Sequence, residues 1–408
     1  MRILVVAALY PPHVIGGAEI SAANLTRWLA RQGHEMAVLT AAGPGEAEIH
    51  GERVDGVRIW RMHAPHLYPV SVFPGAPSWQ KPVWHLQDHV DPRSRGLMAR
   101  VLDAFRPDFV NVHILQGLGY TGLAAIAARR VPVLYILPDL GLACIRMSMY
   151  RDGQDCERPC GACRLSARWK LHLTGRIERL GFLSPSRANL AALEELGVLG
   201  TRPRLSVLNP NRYPPPRVAR TSSDSPRLLY VGRLHETKGV EELLAALAPL
   251  ASRYRFSIDI LGTGPSEAPL RARYGGEPWV GFHGRVAAEE VSDRMQNADL
   301  LCVPSLWREN APGVAVQALS LGLPVLASNR GGLPELVRPG WNGDLLPAGD
   351  IEAWRATLQS VFRAPEIIAA WRRNAEAEAS TGRFDQDRLG REIMAFMASI
   401  AGPGWSEP

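Results

Sequence analysis

Long apolar runs are missing from this sequence. No window in its 408 residues supplies the roughly 18 to 20 uninterrupted apolar residues that a membrane-crossing helix needs. The apolar opening "MRILVVAALYPP" is too short for a span and has no small-residue cleavage site, so it reads as a first strand and the protein as cytoplasmic. Short repeats and low-complexity tracts are absent too, which excludes solenoids and fibres. Cysteine is scarce, five in all. Charged residues make up only 21% against 46% hydrophobic ones, which excludes a disordered chain and describes a globular one.

The length exceeds one ordinary core and suits two domains of nearly 200 residues each, with a cleft between them. A formal charge of +6 suits an anionic partner: a nucleotide, a phospholipid surface or nucleic acid.

Local pattern supports two α/β halves. Ile3 to Ala7 is a continuous apolar run, as expected of a parallel strand buried on both faces. Ala18, Ala22, Leu25 and Leu29 then share one helical face, Gly33 ends that helix, and "HEMAVLT" supplies a second strand. "LMARVLDAF" reads as helix, "PDFVNVH" and "VPVLYIL" as strands. From Asn209 to Pro226 prolines and small polar residues replace this pattern and mark a linker. The alternation restarts at "RLLYVG" and ends on a helix from Leu389 to Ile400. The expected domains are 1–208 and 209–384, with 385–408 completing the first.

In doubly wound sheets the ligand lies outside the carboxyl ends of the strands, so the loops there carry the candidates. Gly16 and Gly17 follow the first strand and open a helix, where bare backbone amides can approach a phosphate. Arg233 and Lys238 follow the first strand of the second half and could bracket a diphosphate. In "ENAPGVAVQAL", Pro312 suits a helix entry whose first amides, Gly313 and Val314, can receive a terminal phosphate. Glu309, just before, would meet the group attached to that phosphate. A carboxylate there suits sugar hydroxyls, so the inferred ligand is a sugar joined to a nucleoside diphosphate.

The segments "GGAE", "PDFVNVH", "GRLHETKG", "GFHGRV", "ADLLCVPSLWRENAPG" and "GLPVLASNRGGLPELV", in that order, resemble the family-4 retaining glycosyltransferases of the GT-B fold. The resemblance implies two Rossmann-like domains facing each other across a cleft. It implies transfer from a nucleotide-diphosphate sugar to a saccharide or lipid-linked acceptor in bacterial surface polysaccharide or glycoconjugate synthesis, with no cofactor needed for catalysis. No DxD-type metal motif stands in a donor position. By the same resemblance, Gly16 and Gly17 lie over the donor phosphates and Arg233 and Lys238 bind the diphosphate. Glu309 binds sugar hydroxyls, the turn Asn310 to Val314 holds the distal phosphate, and His283 to Val286, with Arg285, line the base. His113 lies near the donor sugar and acceptor, with Glu19 and Asp139 on the acceptor side. Three positions depart from the family pattern: Gln317 stands where a second glutamate binds ribose, Asn111 where a further histidine is common, and Pro138 before Asp139 where His-Asp is frequent. These departures leave open a silent GT-B subunit that binds nucleotide or a partner enzyme. A nucleotide-sugar epimerase of the same fold is a third reading, opposed by the agreement of "GRLHETKG" and "ENAPG" with transferases.

Cys144, Cys156, Cys160 and Cys163 lie close together, and their C-x3-C-x2-C ending could clamp a structural zinc; free thiols in an insertion are the alternative. Cys302 reads as a core thiol. The following basic segment, with Arg164, Arg168, Lys170, Arg176 and Arg179 against only Glu178, could lie on an anionic membrane or be a solvated helix face. No nucleic-acid-binding module accompanies this charge.

Overall fold

The structure is a computed structural model that describes residues 1–221 and 223–405. Ser222, inside the expected linker, and 406–408, inside the expected C-terminal segment, lie outside the described residues. The chain divides into two compact units: Met1–Met149 with Cys156–Asn211 and the residues from Gln386 on, and Tyr150–Asp155 with Arg212–Asp385.

The first unit begins β1 (Arg2–Val6), α1 (Gly17–Arg31), β2 (Glu35–Ala41), β3 (Ile49–Val54) and β4 (Val57–Met62). It continues α2 (Lys81–Val90), α3 (Pro92–Phe105), β5 (Phe109–Val112), α4 (Gly122–Ala128) and β6 (Val133–Ile136). A two-stranded hairpin, β7 (Tyr150–Arg151) and β8 (Gln154–Asp155), then joins the second unit. Back in the first come α5 (Gly161–Gly175), β9 (Leu180–Ser184), α6 (Arg187–Glu195) and β10 (Arg204–Ser206). The eight strands of the first unit order as β10-β9-β6-β5-β1-β2-β4-β3, parallel except for the β3 edge.

Because β1 is buried on both faces, alternate residues feed different cores. Leu4 and Val6 join Trp60, Phe105 and Val112 on one side, while Ile3 and Val5 join Trp28, Phe109 and Met397 on the other. The strand order reverses at β1, whose neighbours are β5 and β2, and this makes the β1 and β5 ends the switch point where a ligand site is expected.

The second unit runs β11 (Arg227–Val231), α7 (Val240–Leu247), β12 (Ser257–Leu261), α8 (Glu267–Tyr274), β13 (Val280–Gly284), α9 (Ala288–Asn297), β14 (Leu300–Val303) and α10 (Gly313–Ser320). Then follow β15 (Val325–Ser328), α11 (Leu333–Leu336), β16 (Gly343–Leu346), α12 (Ile351–Arg363) and α13 (Glu366–Ser380). Its six parallel strands order as β13-β12-β11-β14-β15-β16, so the reversal falls between β11 and β14. Cys302 is buried in this core, and burial pushes its thiol up to about 12.

The last helix, α14 (Gln386–Ala401), packs on α1 of the first unit. Trp28 donates its indole N–H to Asp387 at 2.7 Å, and a Cβ on Gly390 would stand 2.3 Å from the Trp28 ring. Glycine is what lets the two helices approach this closely.

Candidate active site

The second unit's site grows from the two loops that leave β11 and β14. Leu306 N–H donates to the Thr237 carbonyl at 2.9 Å, tying the loops together. Gly239, at φ +68°, enters α7 so close to the other loop that a Cβ would stand 1.9 Å from the Pro304 oxygen. Glu309 is anchored through its backbone: its carbonyl accepts Gly332 N–H at 2.8 Å, and a Cβ on Gly331, at φ +57°, would stand 1.9 Å from that same oxygen.

With its backbone fixed, the Glu309 carboxylate is positioned by three donors. Its Oε1 accepts from the Lys238 ammonium at 2.6 Å, the Ser305 hydroxyl at 2.6 Å and the Trp307 indole at 2.9 Å. Burial pushes the carboxyl up, but the Lys238 charge and these hydrogen bonds outweigh it and hold Glu309 below the usual carboxylate range. All three bonds converge on one oxygen. Oε2 is thereby left to accept from a ligand hydroxyl, which is the chemistry of holding a sugar. The Lys238 ammonium also lies 4.7 Å from the Trp307 ring centre, so that ring fixes both charges.

Arg233, on the same loop as Lys238, is exposed, and its guanidinium has no hydrogen bond or ion pair among the described residues. Its carbonyl accepts the Tyr230 hydroxyl at 3.0 Å, so the backbone is held while the charged fork is left to a ligand. At the start of α10 the Gly313 and Val314 amides belong to the first turn, where a helix has no partner of its own to offer them. Gly313 is steadied from behind by the Tyr213 hydroxyl, which donates to its carbonyl at 2.9 Å. Pro312 is the N-cap, and Asn310 lies partly buried in the turn before it.

Gln317 is buried on α10 and donates its amide to Ser292 at 3.0 Å; the Ser292 hydroxyl in turn donates to the Pro214 carbonyl at 2.6 Å. That fixes the amide nitrogen inward and leaves the Gln317 oxygen as an acceptor. His283 follows a different course. Its ring sits 2.7 Å from Asp259 and 3.0 Å from Arg294, so its polar atoms are engaged within the second unit, while Arg285 is exposed beyond it.

In the first unit, Gly16 is the N-cap of α1 and its N–H donates to Glu19 at 2.8 Å. Glu19 therefore closes the helix end that the glycines open, and burial raises its pKa. A Cβ on Gly17 would meet nothing within 4 Å, so the backbone there is open to approach. His113 follows β5, its N–H bound to the Val6 carbonyl at 2.9 Å. Its side chain is buried, Nε2 has no partner, and burial lowers its pKa to about 4, so the imidazole is neutral at physiological pH.

His113 lines one pocket with Tyr120, Tyr135, Asp139 and Met147. Asp139 accepts Gly141 N–H at 2.6 Å, and Lys170 donates to the Gly141 carbonyl at 2.7 Å, so the peptide is gripped from both ends. Burial pushes Asp139 up to about 6 and Lys170 down to about 8. Asn111, in β5, is fully buried with neither side-chain polar atom partnered.

Of the four clustered cysteines, Cys144 and Cys163 are buried with their sulfurs 3.9 Å apart. Among the described residues no group of three or more His, Cys, Asp or Glu side chains is placed to hold a metal ion. Cys163 also hydrogen-bonds the Cys160 side chain, and 3.9 Å is close to the separation of two thiolates on one tetrahedral zinc with bonds of about 2.3 Å.

The first-unit and second-unit features match known proteins separately. Residues 15–137 match the Glycosyltransferase Family 4 model and 216–378 the Glycosyl transferases group 1 model. A GDP-mannose-dependent alpha-mannosyltransferase from Mycobacterium tuberculosis is 28% identical over 360 residues, 86% of this chain and 85% of that one. Among solved structures, a sucrose-phosphate synthase from Thermosynechococcus elongatus superposes with a TM-score of 0.75 at 18% identity, covering 98% of each chain. Anabaena Alr3699/HepE in complex with UDP does so at 0.68 and 19%, covering 98% of this chain and 100% of that one. The chain belongs to the family-4, group 1 glycosyltransferases and has their two-domain GT-B fold.

Sequence reasoning missed Ser305 and Trp307, although both stand in the quoted segment beside Glu309. It also missed Asp155, in the β7–β8 hairpin, which pairs with Arg330 at 2.9 Å and Arg308 at 3.5 Å. The Asp152-Gly153 pair was the available signal for that hairpin.

Proposed function

We propose that this glycosyltransferase moves a sugar from a nucleotide-diphosphate donor to a hydroxyl of a saccharide or lipid-linked acceptor, with retention at the anomeric carbon and without a metal, on the cytoplasmic side. The observation that carries the donor assignment is the constellation of Arg233, Lys238, Glu309 and the first amides of α10 around one switch point. Arg233 and Lys238 neutralise the pyrophosphate, and the α10 amides take the distal phosphate. Glu309 receives a sugar hydroxyl on its second oxygen. The bond from the anomeric carbon to phosphate breaks, the acceptor oxygen bonds that carbon on the same face, and the departing phosphate accepts the acceptor's proton. Leaving-group charge is met by fixed cations, which supports a route that needs no metal.

In the first unit, neutral His113 with its unpartnered Nε2 is suited to a sugar hydroxyl, and Asp139 lies in the same pocket. The reading extends to surface polysaccharide or glycolipid synthesis, the setting of several relatives. GDP-mannose, the donor named for the M. tuberculosis relative, and UDP sugars are the first donors to test. The experiment is transfer of radiolabelled sugar to a panel of acceptors in the presence of EDTA. Acceptor-dependent product with the anomeric configuration kept is expected. Nucleotide binding without turnover across the panel would instead support a silent subunit, and inversion would remove the retaining assignment.

A further inference from the structure

Helix α2 turns only part of its surface to the protein. Trp84 and Asp88 face inward and are buried, with Trp84 donating to the Tyr68 carbonyl at 2.8 Å and Asp88 accepting Gly117 N–H at 2.8 Å. Val83, Leu86 and Val90, spaced three and four residues apart, share the opposite face, and Trp79 just before the helix continues the same series. All four are exposed, Trp79 at 73% and Leu86 at 62%. Such a stripe on an otherwise packed unit needs an explanation, since single exposed apolar residues are ordinary but an aligned set is not.

The stripe abuts a second one. At the end of α2, His89 bonds the Ser166 hydroxyl at 2.6 Å, and its carbonyl accepts the Trp169 indole at 2.7 Å, which docks α5 against α2. Helix α5 buries Cys163, Ser166, Ala167 and Lys170 and turns Arg164, Leu165, Arg168 and Leu171 outward, with Leu165 73% exposed. Neither helix presents a carboxylate to solvent: Asp88 is fully buried, and α5 has no acidic residue. Nor does the sequence hold any Asp or Glu between Asp55 and Asp88, or between Glu157 and Glu178.

We infer that the adjoining outward faces of α2 and α5 are a docking surface for an anionic lipid bilayer. Exposed tryptophan and leucine insert at the headgroup boundary while Arg164 and Arg168 meet lipid phosphates, which is the composition of an interfacial helix pair. No helix among the described residues is long and apolar enough to cross a membrane, so the contact is peripheral. A protein partner covering the same face would be expected to meet its arginines with carboxylates, and a second copy of this face would bring arginine against arginine. The inference stands on this surface alone and does not depend on the transfer reaction.

The test is co-sedimentation of the full chain with phosphatidylcholine vesicles, with and without phosphatidylglycerol. Binding to the phosphatidylglycerol vesicles is expected, weakened by salt and by omission of the anionic lipid. The exposed double variant Leu86→Ser/Leu165→Ser should lose about tenfold in partitioning for each leucine. Arg164→Glu/Arg168→Glu should lose roughly fivefold or more for each charge, and it decides the matter if the leucine variant melts lower than the wild type. Wild-type protein left in the supernatant with anionic vesicles, variants that sediment as well as wild type, or a solution dimer that the leucine substitutions dissociate would overturn the inference.

Discussion

Arg233 and Lys238 stand on one loop, yet folding uses them differently. Lys238 is tied to Glu309 and packed over Trp307, whereas the Arg233 fork projects without a partner among the described residues. Arg233→Ala should therefore leave stability within about 0.5 kcal/mol of wild type, as for an unengaged surface side chain. The same substitution should lower kcat/KM by roughly 100-fold or more, as loss of a fixed leaving-group donor does. Thermal melts and steady-state kinetics on one preparation check both halves. Glu309→Ala should behave in the opposite sense for stability. It strands the Lys238 ammonium and two hydrogen-bond donors in a mostly buried site, at a cost of about 2 kcal/mol read from denaturant unfolding. Residue types at this site were legible in the sequence because strand-end loops narrow the search. The convergence of Ser305 and Trp307 on one oxygen of Glu309 was not, because it depends on the path of a loop that Gly331 and Gly239 permit.

Asp139 carries a pH dependence whose direction follows from its burial. Its carboxyl ionises near its ordinary 3.8 in the unfolded chain but at about 6 in the fold, so the folded state holds an extra proton between these values. The stability this contributes is full below the ordinary carboxylate pKa and is lost as pH rises through about 6. Asp139→Asn keeps the acceptor for Gly141 N–H and removes the ionisation. Its advantage over wild type should grow by roughly 3 kcal/mol between pH values well below 4 and neutral pH. Melting curves across that range test it, and a constant difference would show that the carboxyl is not desolvated.

At the scale of elements, the loops after β11 and β14 behave as one part because backbone meets backbone at Gly239. Alanine there would demand a positive φ and place a methyl 1.9 Å from the Pro304 oxygen. Gly239→Ala should cost more than about 1 kcal/mol. It should also reduce donor binding, because the loop that carries Lys238 must shift; isothermal titration with nucleoside diphosphate reads this directly. The strand and helix alternation was legible because buried parallel strands are continuous apolar runs and their helices keep a 3.6-residue period. Three features were not. The antiparallel edge β3 is half exposed and carries His50, Glu52 and Arg53, so it lacks an apolar signature. Helix α2 directs its apolar residues outward as well as inward, which blurs any single periodic face. The β7–β8 hairpin has two residues per strand, too short for any period, and only its Asp-Gly turn marked it.

Over the whole molecule, each unit reproduces the same logic: a sheet whose strand order reverses, with the candidate residues at the strand ends beside the reversal. On the proposed function, nucleotide recognition by the second unit would rest on fixed positive charge and helix-end amides rather than on a metal. A nucleoside diphosphate binding the native state at a hundred times its Kd should add about 2.7 kcal/mol of stability, seen as a rise in melting temperature. If, as proposed, Arg233 and Lys238 supply the countercharge, that rise should persist in EDTA, shrink as salt screens the site, and fall away in Arg233→Ala. A rise that EDTA abolishes and magnesium restores would transfer the pyrophosphate's countercharge from these side chains to a metal. The Arg233→Ala melt without ligand separates this from a folding defect, since that residue is given no part in holding the loop together.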